Sequence, residues 1–142
     1  MDEYKSKVVK VNRMASDVYG FLSDFSRLAG FIPPNADIQD FEATADECKF
    51  TLKGMQVVLR IIEREENKTV KLTGDGKLPF DFFFWVQLKE VAPYDTRVRL
   101  VLHTKMNMML KLMLKGKLQK GLDNFAEQLA MGFNGQIPPA QS

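Results

Sequence analysis

The sequence predicts an α+β domain in which a seven-stranded antiparallel sheet packs against one long C-terminal helix, with two short helices after the first strand. A β-rich stretch at residues 3–12 is followed by helical spacing, and alternating apolar residues then run from residue 36 to 105. Residues 107–133 carry large apolar side chains every three or four positions. We expect residues 1–133 to form a single domain and residues 134–142 to form a disordered tail.

Composition narrows the classes of function. The chain has 142 residues, of which 45% are hydrophobic and 27% charged, as is usual for a globular domain with one core. Twenty Lys and Arg against eighteen Asp and Glu leave a net charge of +2, so we expect no nucleic-acid partner. The sequence shows no signal peptide and no apolar stretch of membrane-spanning length. We therefore expect a cytoplasmic protein without stable membrane insertion.

The N-terminal third predicts a strand and two helices. Ser16 is the expected N-cap of the first helix, with Asp17 placed favourably in its first turn. A second, shorter helix is expected from Ser26 to Phe31, because Pro33 and Pro34 follow it.

The central segment predicts an antiparallel meander of six strands. Folding it about four turn signals, such as Lys53-Gly54, places one apolar set on a single face of the sheet. Charged residues, including Arg64, are expected on the other face. That outer face also carries Phe83, Trp85 and Val101, which either form a small cluster covered by long Lys and Arg stems or mediate a homodimer.

The C-terminal helix is expected to begin at the N-cap Asn107 and to be partly core. Met106, Met109 and Met113 widen its apolar side, and three glycines interrupt it. These features fit a helix that covers a cavity, and they also fit a fully packed, methionine-rich core. Five lysines of the helix region fit a solvated face as well as contact with a membrane: Lys105, Lys111, Lys115, Lys117 and Lys120. The apolar stripe consists of Leu110, Leu114, Leu118, Leu122, Phe125, Leu129 and Phe133.

Two stretches resemble a known superfamily. "SKVVKVNRMASDVYGFLSDFSRLAGFIPP" has a strand ending at Val11, a helix beginning at Ser16 and a short helix terminated by proline. It resembles the start of the START-like, helix-grip superfamily, which includes lipid-transfer domains, polyketide cyclases and aromatases, and the major birch pollen allergen. "KGKLQKGLDNFAEQLA" is similar to the terminal helix of that superfamily. The resemblance covers residues 3–133 and implies a curved sheet gripping the helix around a hydrophobic cavity.

The resemblance implies that the chain binds an apolar small molecule or lipid. We expect Glu63, Tyr19 and Thr104 to be polar anchors at the cavity. The expected apolar lining consists of Phe50, Leu59, Ile61, Leu72, Phe82, Phe84, Val86, Leu100, Leu102, Met109, Leu110, Met113, Leu114 and Leu118. Two alternatives stay open: a cyclase- or aromatase-like enzyme using the same cavity, and a protein-interaction module whose cavity is filled.

The sequence provides little for catalysis. His103, the single histidine, falls on the outward face, and Cys48, the single cysteine, is expected to be a buried filler. "GDGK" at residues 74–77 is expected to be a turn, because a phosphate-binding loop would require Gly in place of Lys71 and Ser or Thr in place of Leu78. We therefore expect no catalytic residues, no metal ligands and no cofactor.

Overall fold

The computed structural model describes residues 1–28, 37–75 and 78–135. Within these described residues the chain forms eight strands and three helices, in the predicted order of an α+β domain. The elements are β1 (Asp2–Lys5), β2 (Val9–Val11), α1 (Ala15–Leu22), α2 (Phe25–Leu28), β3 (Ile38–Ala43), β4 (Glu47–Leu52), β5 (Met55–Glu65), β6 (Thr69–Gly74), β7 (Asp81–Ala92), β8 (Asp95–Lys105) and α3 (Met108–Phe133).

The strands form one open antiparallel sheet with the order β1-β8-β7-β6-β5-β4-β3, and β2 also pairs with β8. The six strands from β3 to β8 are the predicted meander. The count is eight rather than seven because the expected first strand is divided into β1 and β2. Both segments pair with β8, so the division changes the count and not the architecture.

A bulge at Ser6 causes this division. Lys5 pairs with Val101 and Val9 with Val98, so residues 6–8 stand opposite residues 99–100. The Ser6 N–H donates to the carbonyl of Leu100 at 2.8 Å, and the Leu100 N–H donates to the Ser6 hydroxyl at 2.9 Å. The hydroxyl thus replaces a ladder acceptor, which a buried backbone N–H requires.

The predicted apolar face is the one against which the helices pack, which we call the concave face, and its central members are buried. Folding about the four turn signals predicts Ile61 opposite Leu72, which the structure confirms. The other three hairpin registers differ from the expected ones by two residues: Val86, for example, lies opposite Leu100 and not Leu102. A shift of two keeps each side chain on its face, because side chains alternate along a strand. The sequence pattern therefore specified the face without specifying the register.

Glu63 and Arg64 lie on the opposite faces of the sheet from those that the sequence predicted, so this prediction is wrong. The ladder between β5 and β6 shifts between Ile61 and Glu63, so Glu63 lies opposite Lys71, and Arg64 lies opposite the buried Val70. Glu63 is therefore exposed on the outer face, and Arg64 takes the inward parity. The Arg64 guanidinium donates to the carbonyl oxygens of Ser23 and Ala45, which ties β5 to the end of α1 and to the β3–β4 turn.

Helix α1 is capped differently from the prediction. It begins at Ala15, so Ser16 lies inside the first turn, and the N-cap Met14 makes no side-chain cap bond. The Ala15 N–H instead donates to the Glu90 carboxylate of β7 at 2.8 Å. A carboxylate from a distant strand thus takes the role expected of a local serine. Asp17 lies in the first turn as predicted.

The remaining helix boundaries agree with the sequence where the structure describes them. Asn107 caps α3 by accepting from the Leu110 N–H at 2.8 Å. Asp24 accepts from the Ser26 N–H at 2.9 Å at the start of α2. The expected end of the second helix and the prolines after it lie outside the described residues, as does the tail from residue 136. Asn134, which was assigned to the tail, accepts from the Asn12 N–H and so contacts the residue after β2.

Candidate functional site

The long helix packs tightly against the sheet along only half of its length. In the second half of α3, Leu122, Ala126, Leu129 and Phe133 are buried and join the core cluster with residues of β2, β7 and β8. In the first half, Leu110, Leu114 and Leu118 are only half-buried. The interface between sheet and helix is thus closed towards the C-terminus of α3 and more open towards its N-terminus.

Aromatic side chains line the concave face where the interface is open. Phe50, Phe82 and Phe84 point inward but are only half-buried. The Phe84 ring stacks on Phe125 of α3 with the ring centroids 6.3 Å apart, and Phe125 is 49% exposed. Phe41 of β3 stacks on Phe50 at 6.1 Å and extends this wall. Partly exposed rings on an inward face form an apolar surface that a further apolar group can cover.

Two glycines mark where space is filled and where it is free. A Cβ atom added to Gly74 would lie 2.5 Å from Leu78 and 2.6 Å from Phe82, so these side chains lie directly over the glycine. A Cβ atom added to Gly121 would meet nothing within 4 Å. Gly121 is itself exposed, and it lies one turn before the half-exposed Phe125 and three residues after Leu118. The free space beside it is therefore open to solvent, at the rim of the aromatic wall.

The structure divides the predicted lining residues into three groups. Buried members of the core cluster are Ile61, Leu72, Val86, Leu100 and Leu102. Half-buried members are Phe50, Leu59, Phe82, Phe84, Leu110, Leu114 and Leu118. Met109 and Met113 are exposed, and the helical period places them opposite Leu118 and Leu122. We therefore do not assign these two methionines to the concave site.

The expected polar anchors occupy three different environments. Thr104 is fully buried on the inward face between Asp2 and Phe82, and among the described residues its hydroxyl is the one buried side-chain polar atom without a hydrogen-bond partner. Tyr19 is half-buried against the core. Glu63 lies on the outer face as described above. Of the three, Thr104 is the residue whose buried, inward-facing hydroxyl makes no hydrogen bond.

An ion pair connects β1 to the open half of α3. The Lys111 ammonium lies 3.1 Å from the Asp2 carboxylate, and both side chains are partly exposed. Asp2 is also the β1 neighbour of Thr104 in the sheet. The first turns of α3 are thus tied to the strand beside Thr104 by an exposed pair, which is a weak restraint.

The outer face holds a compact aromatic cluster. The Trp85 ring lies 4.5 Å from the His103 ring and 6.2 Å from the Phe83 ring. The Lys71 ammonium lies 4.7 Å from the centre of the Phe83 ring and 5.0 Å from that of Trp85. Val101, which stands opposite Trp85 in the sheet, is buried. This geometry agrees with a cluster covered by a lysine stem. Self-association through these residues stays a prediction.

The potential catalytic groups are remote from the concave face or inert. His103 lies on the outer face, and its Nε2 atom is 2.7 Å from a carboxylate oxygen of Glu3. This hydrogen bond lowers the pKa of Glu3. Cys48 is buried in the core, and burial raises the pKa of its thiol to about 11, which opposes a nucleophilic role. Among residues 1–28, 37–75 and 78–135, no three His, Cys, Asp or Glu side chains form a metal-binding group.

A surface cleft of about 810 Å³ lies elsewhere on the molecule, between the start of α1 and the ends of β5, β6 and β7. Most of its lining residues are polar or charged, and they include Glu65, Lys68 and Glu90. Sequence reasoning did not find this cleft, because distant segments form it. Glu90 accepts the cap hydrogen bond of α1 at this cleft, so its carboxylate has a structural role there.

In the described part of the chain, no helix has both the length and the hydropathy that a bilayer span requires.

Comparison with known proteins identifies the fold. No protein-family model and no curated protein matches the chain. A solution structure from Thermobifida fusca matches with a TM-score of 0.70 at 16% identity, covering 100% of this chain and 99% of that one. The di-domain ARO/CYC BexL from the BE-7585A biosynthetic pathway matches with a TM-score of 0.74 at 12% identity, covering 97% of this chain and 47% of that one.

A START superfamily protein from Mycobacterium smegmatis has a TM-score of 0.64 at 15% identity, with 95% of this chain and 96% of that one covered. These likenesses confirm the START-like fold that the sequence resemblance predicted. At such identities they establish the fold alone, because one fold supports many functions.

Proposed function

We propose that this chain binds an apolar small molecule or lipid between the concave face of the sheet and the first half of α3. The observation that carries the proposal is the gradient along α3, from a buried C-terminal half to a half-buried N-terminal half facing half-buried phenylalanines. The fold supports it, since its matches include a START superfamily protein and an aromatase/cyclase. A ligand in this position would remove the partly exposed rings from water, which is favourable.

Binding of this kind requires no reaction. The aliphatic and aromatic walls desolvate the ligand. The Thr104 hydroxyl, which solvent does not reach in this structure, orients the ligand through one hydrogen bond once the neighbouring Phe82 side chain moves aside. We favour carriage over cyclisation because the single histidine pairs with Glu3 on the outer face and the single thiol is buried in the core.

Filling the free space beside α3 tests the proposal. We expect Gly121→Leu to reduce the affinity for an apolar fluorescent probe such as a polyene fatty acid by at least about tenfold, because the new side chain occupies the space that adjoins Phe125. Native mass spectrometry of the wild type should show a co-purifying species that lipid extraction identifies, and the variant should lose it.

Gly116→Leu is the matched control. Gly116 also has nothing within 4 Å of an added Cβ, and the helical period places it on the opposite side of α3 from Gly121. Both substitutions raise helix propensity by a similar amount, so stability changes alike in the two variants. Equal probe affinity in both variants, or a wild type that binds neither probe nor lipid, would rule out the concave site.

Replacing Thr104 separates a binding role from a structural one. We expect Thr104→Val to keep or raise the free energy of unfolding by about 1 kcal/mol, since it removes a buried hydroxyl without a partner. The same variant should bind a fatty acid several-fold more weakly, as measured by probe displacement. Thr96→Val is the control: Thr96 is equally buried, but its hydroxyl donates to the Arg13 carbonyl at 2.8 Å, so stability should fall by about 1 kcal/mol. A Thr104→Val variant that binds normally would remove the anchor from the proposal.

A further inference from the structure

The first turns of α3 expose a large apolar surface on the side away from the sheet. Met108, Met109, Leu112 and Met113 are each between 65% and 72% exposed. Spacings of three and four residues place them on adjoining turns, and together we call them the methionine face. Isolated exposed apolar residues are common on protein surfaces, whereas four large ones on one helical segment indicate a contact surface.

The charge around the methionine face is of one sign. From Thr104 to Leu122 the chain carries five lysines and no acidic residue, although the whole chain has a net charge of only +2. Lys111 is paired with Asp2, and within the described residues Lys105, Lys115, Lys117 and Lys120 make no ion pair. The cations of this segment are thus largely available to an external anion.

We propose that the methionine face docks reversibly on an anionic phospholipid surface, with the lysines contacting the headgroups. Lysine stems cover apolar surface while their ammonium groups stay in the headgroup layer, and methionine adapts to an irregular apolar boundary. A helix of this kind lies in the plane of the interface and does not span the bilayer.

The charge distinguishes this partner from a second copy of the chain. Two methionine faces in contact would bring two lysine sets together, and like charges at an interface oppose association. An anionic membrane neutralises the same charges, and the attraction weakens as salt rises. The argument uses the outer side of α3 only, so it does not depend on the ligand site.

Vesicle binding tests the proposal. We expect the wild-type protein to co-sediment with phosphatidylcholine vesicles that contain one third phosphatidylglycerol, and about tenfold less with phosphatidylcholine alone, because the headgroup charge is lost. The Leu112→Glu and Met113→Glu variants should each lower binding to the anionic vesicles by at least about tenfold, since each places a negative charge on the contact surface.

Val91→Glu is the control, because Val91 of β7 is 50% exposed and lies outside α3; its binding should equal that of the wild type. Circular dichroism verifies that each variant is folded. Wild-type protein that stays in the supernatant with anionic vesicles overturns the proposal, as does Leu112→Glu binding at the wild-type level. Sedimentation velocity that shows a wild-type dimer and a monomeric Leu112→Glu variant would assign the face to a second copy instead.

The outcome is separable from that of the ligand experiments. Probe affinity in Gly121→Leu reports the concave side of α3, and vesicle binding of Leu112→Glu reports the outer side. Either result can hold without the other.

Discussion

Leu100→Ala is expected to lower the free energy of unfolding by about 3 to 4 kcal/mol. Leu100 is 0% exposed and lies on the concave face of β8, opposite Val86 of β7. Its backbone joins Ser6 on the other side through two hydrogen bonds, so the residue sits where β1, β7 and β8 meet. Because the backbone of Leu100 is hydrogen-bonded on both sides, the surrounding structure cannot close over the space that the truncated side chain leaves. The free-energy cost of this cavity adds to that of the lost hydrophobic burial.

Leu112→Ala is the matched control for this prediction. Leu112 has the same side chain, but it is 68% exposed on α3, so its truncation should change stability by less than about 0.5 kcal/mol. Urea denaturation followed by circular dichroism measures both variants. A Leu100→Ala effect no larger than that of Leu112→Ala would contradict the assignment of the core.

The stability of the protein is expected to fall by about 2 kcal/mol between pH 8 and pH 10.5 because of Cys48. Burial raises the pKa of this thiol from its ordinary value of 9.0 to about 11, and the residue is 3% exposed. In that range the unfolded chain has lost the proton while the folded chain retains it. Rising pH therefore favours the unfolded chain. The stabilisation that the buried, protonated thiol provides is fully present only below the pKa of the unfolded chain, 9.0.

Urea denaturation at pH 8 and at pH 10.5 measures this loss, and Cys48→Ala is the control. Tyrosines and lysines titrate alike in both proteins, so only the difference between their slopes reports the thiol. Iodoacetamide should also modify Cys48 slowly until urea unfolds the chain. The same pH slope in Cys48→Ala and in the wild type would show that the thiol does not carry the effect.

Most of the architecture was predictable because the periodic spacing of hydrophobic residues is encoded within short stretches of sequence. The alternation from residue 36 to 105 placed Ile61, Leu72 and Leu102 on one face, and the structure buries all three. The stripe on the last helix and its Asn107 cap were predictable for the same reason. Each of these features is encoded within a few consecutive residues.

The failures occurred where the chain departs from regular pairing. The bulge after Ile61 reverses the faces of Glu63 and Arg64, and nothing in the local sequence identifies it. The bulge at Ser6 divides the first strand for a similar reason. The cap of α1 comes from Glu90, which lies 75 residues after Ala15 in the chain. This contact depends on the positions of β7 and α1, which the local sequence does not encode.

The sequence predicted the type of site better than it predicted which residues line it. The sequence located the aromatic wall at Phe50, Phe82 and Phe84, and it included Thr104 among the polar groups. It omitted Phe125, although this residue belongs to the helical stripe, because its stacking on Phe84 depends on how α3 crosses the sheet. It assigned Met109 to the cavity, whereas that side chain is exposed.

The sequence by itself determined the order of the elements, the apolar face of the sheet and the apolar stripe of the helix, since side-chain period and turn residues act over a few positions. Only the tertiary structure decided that α3 packs closely at one end and loosely at the other, and which of its methionines face water. The rotation and tilt of a helix on a sheet result from all of their contacts together, and a wide apolar arc such as residues 108–114 is compatible with more than one rotation.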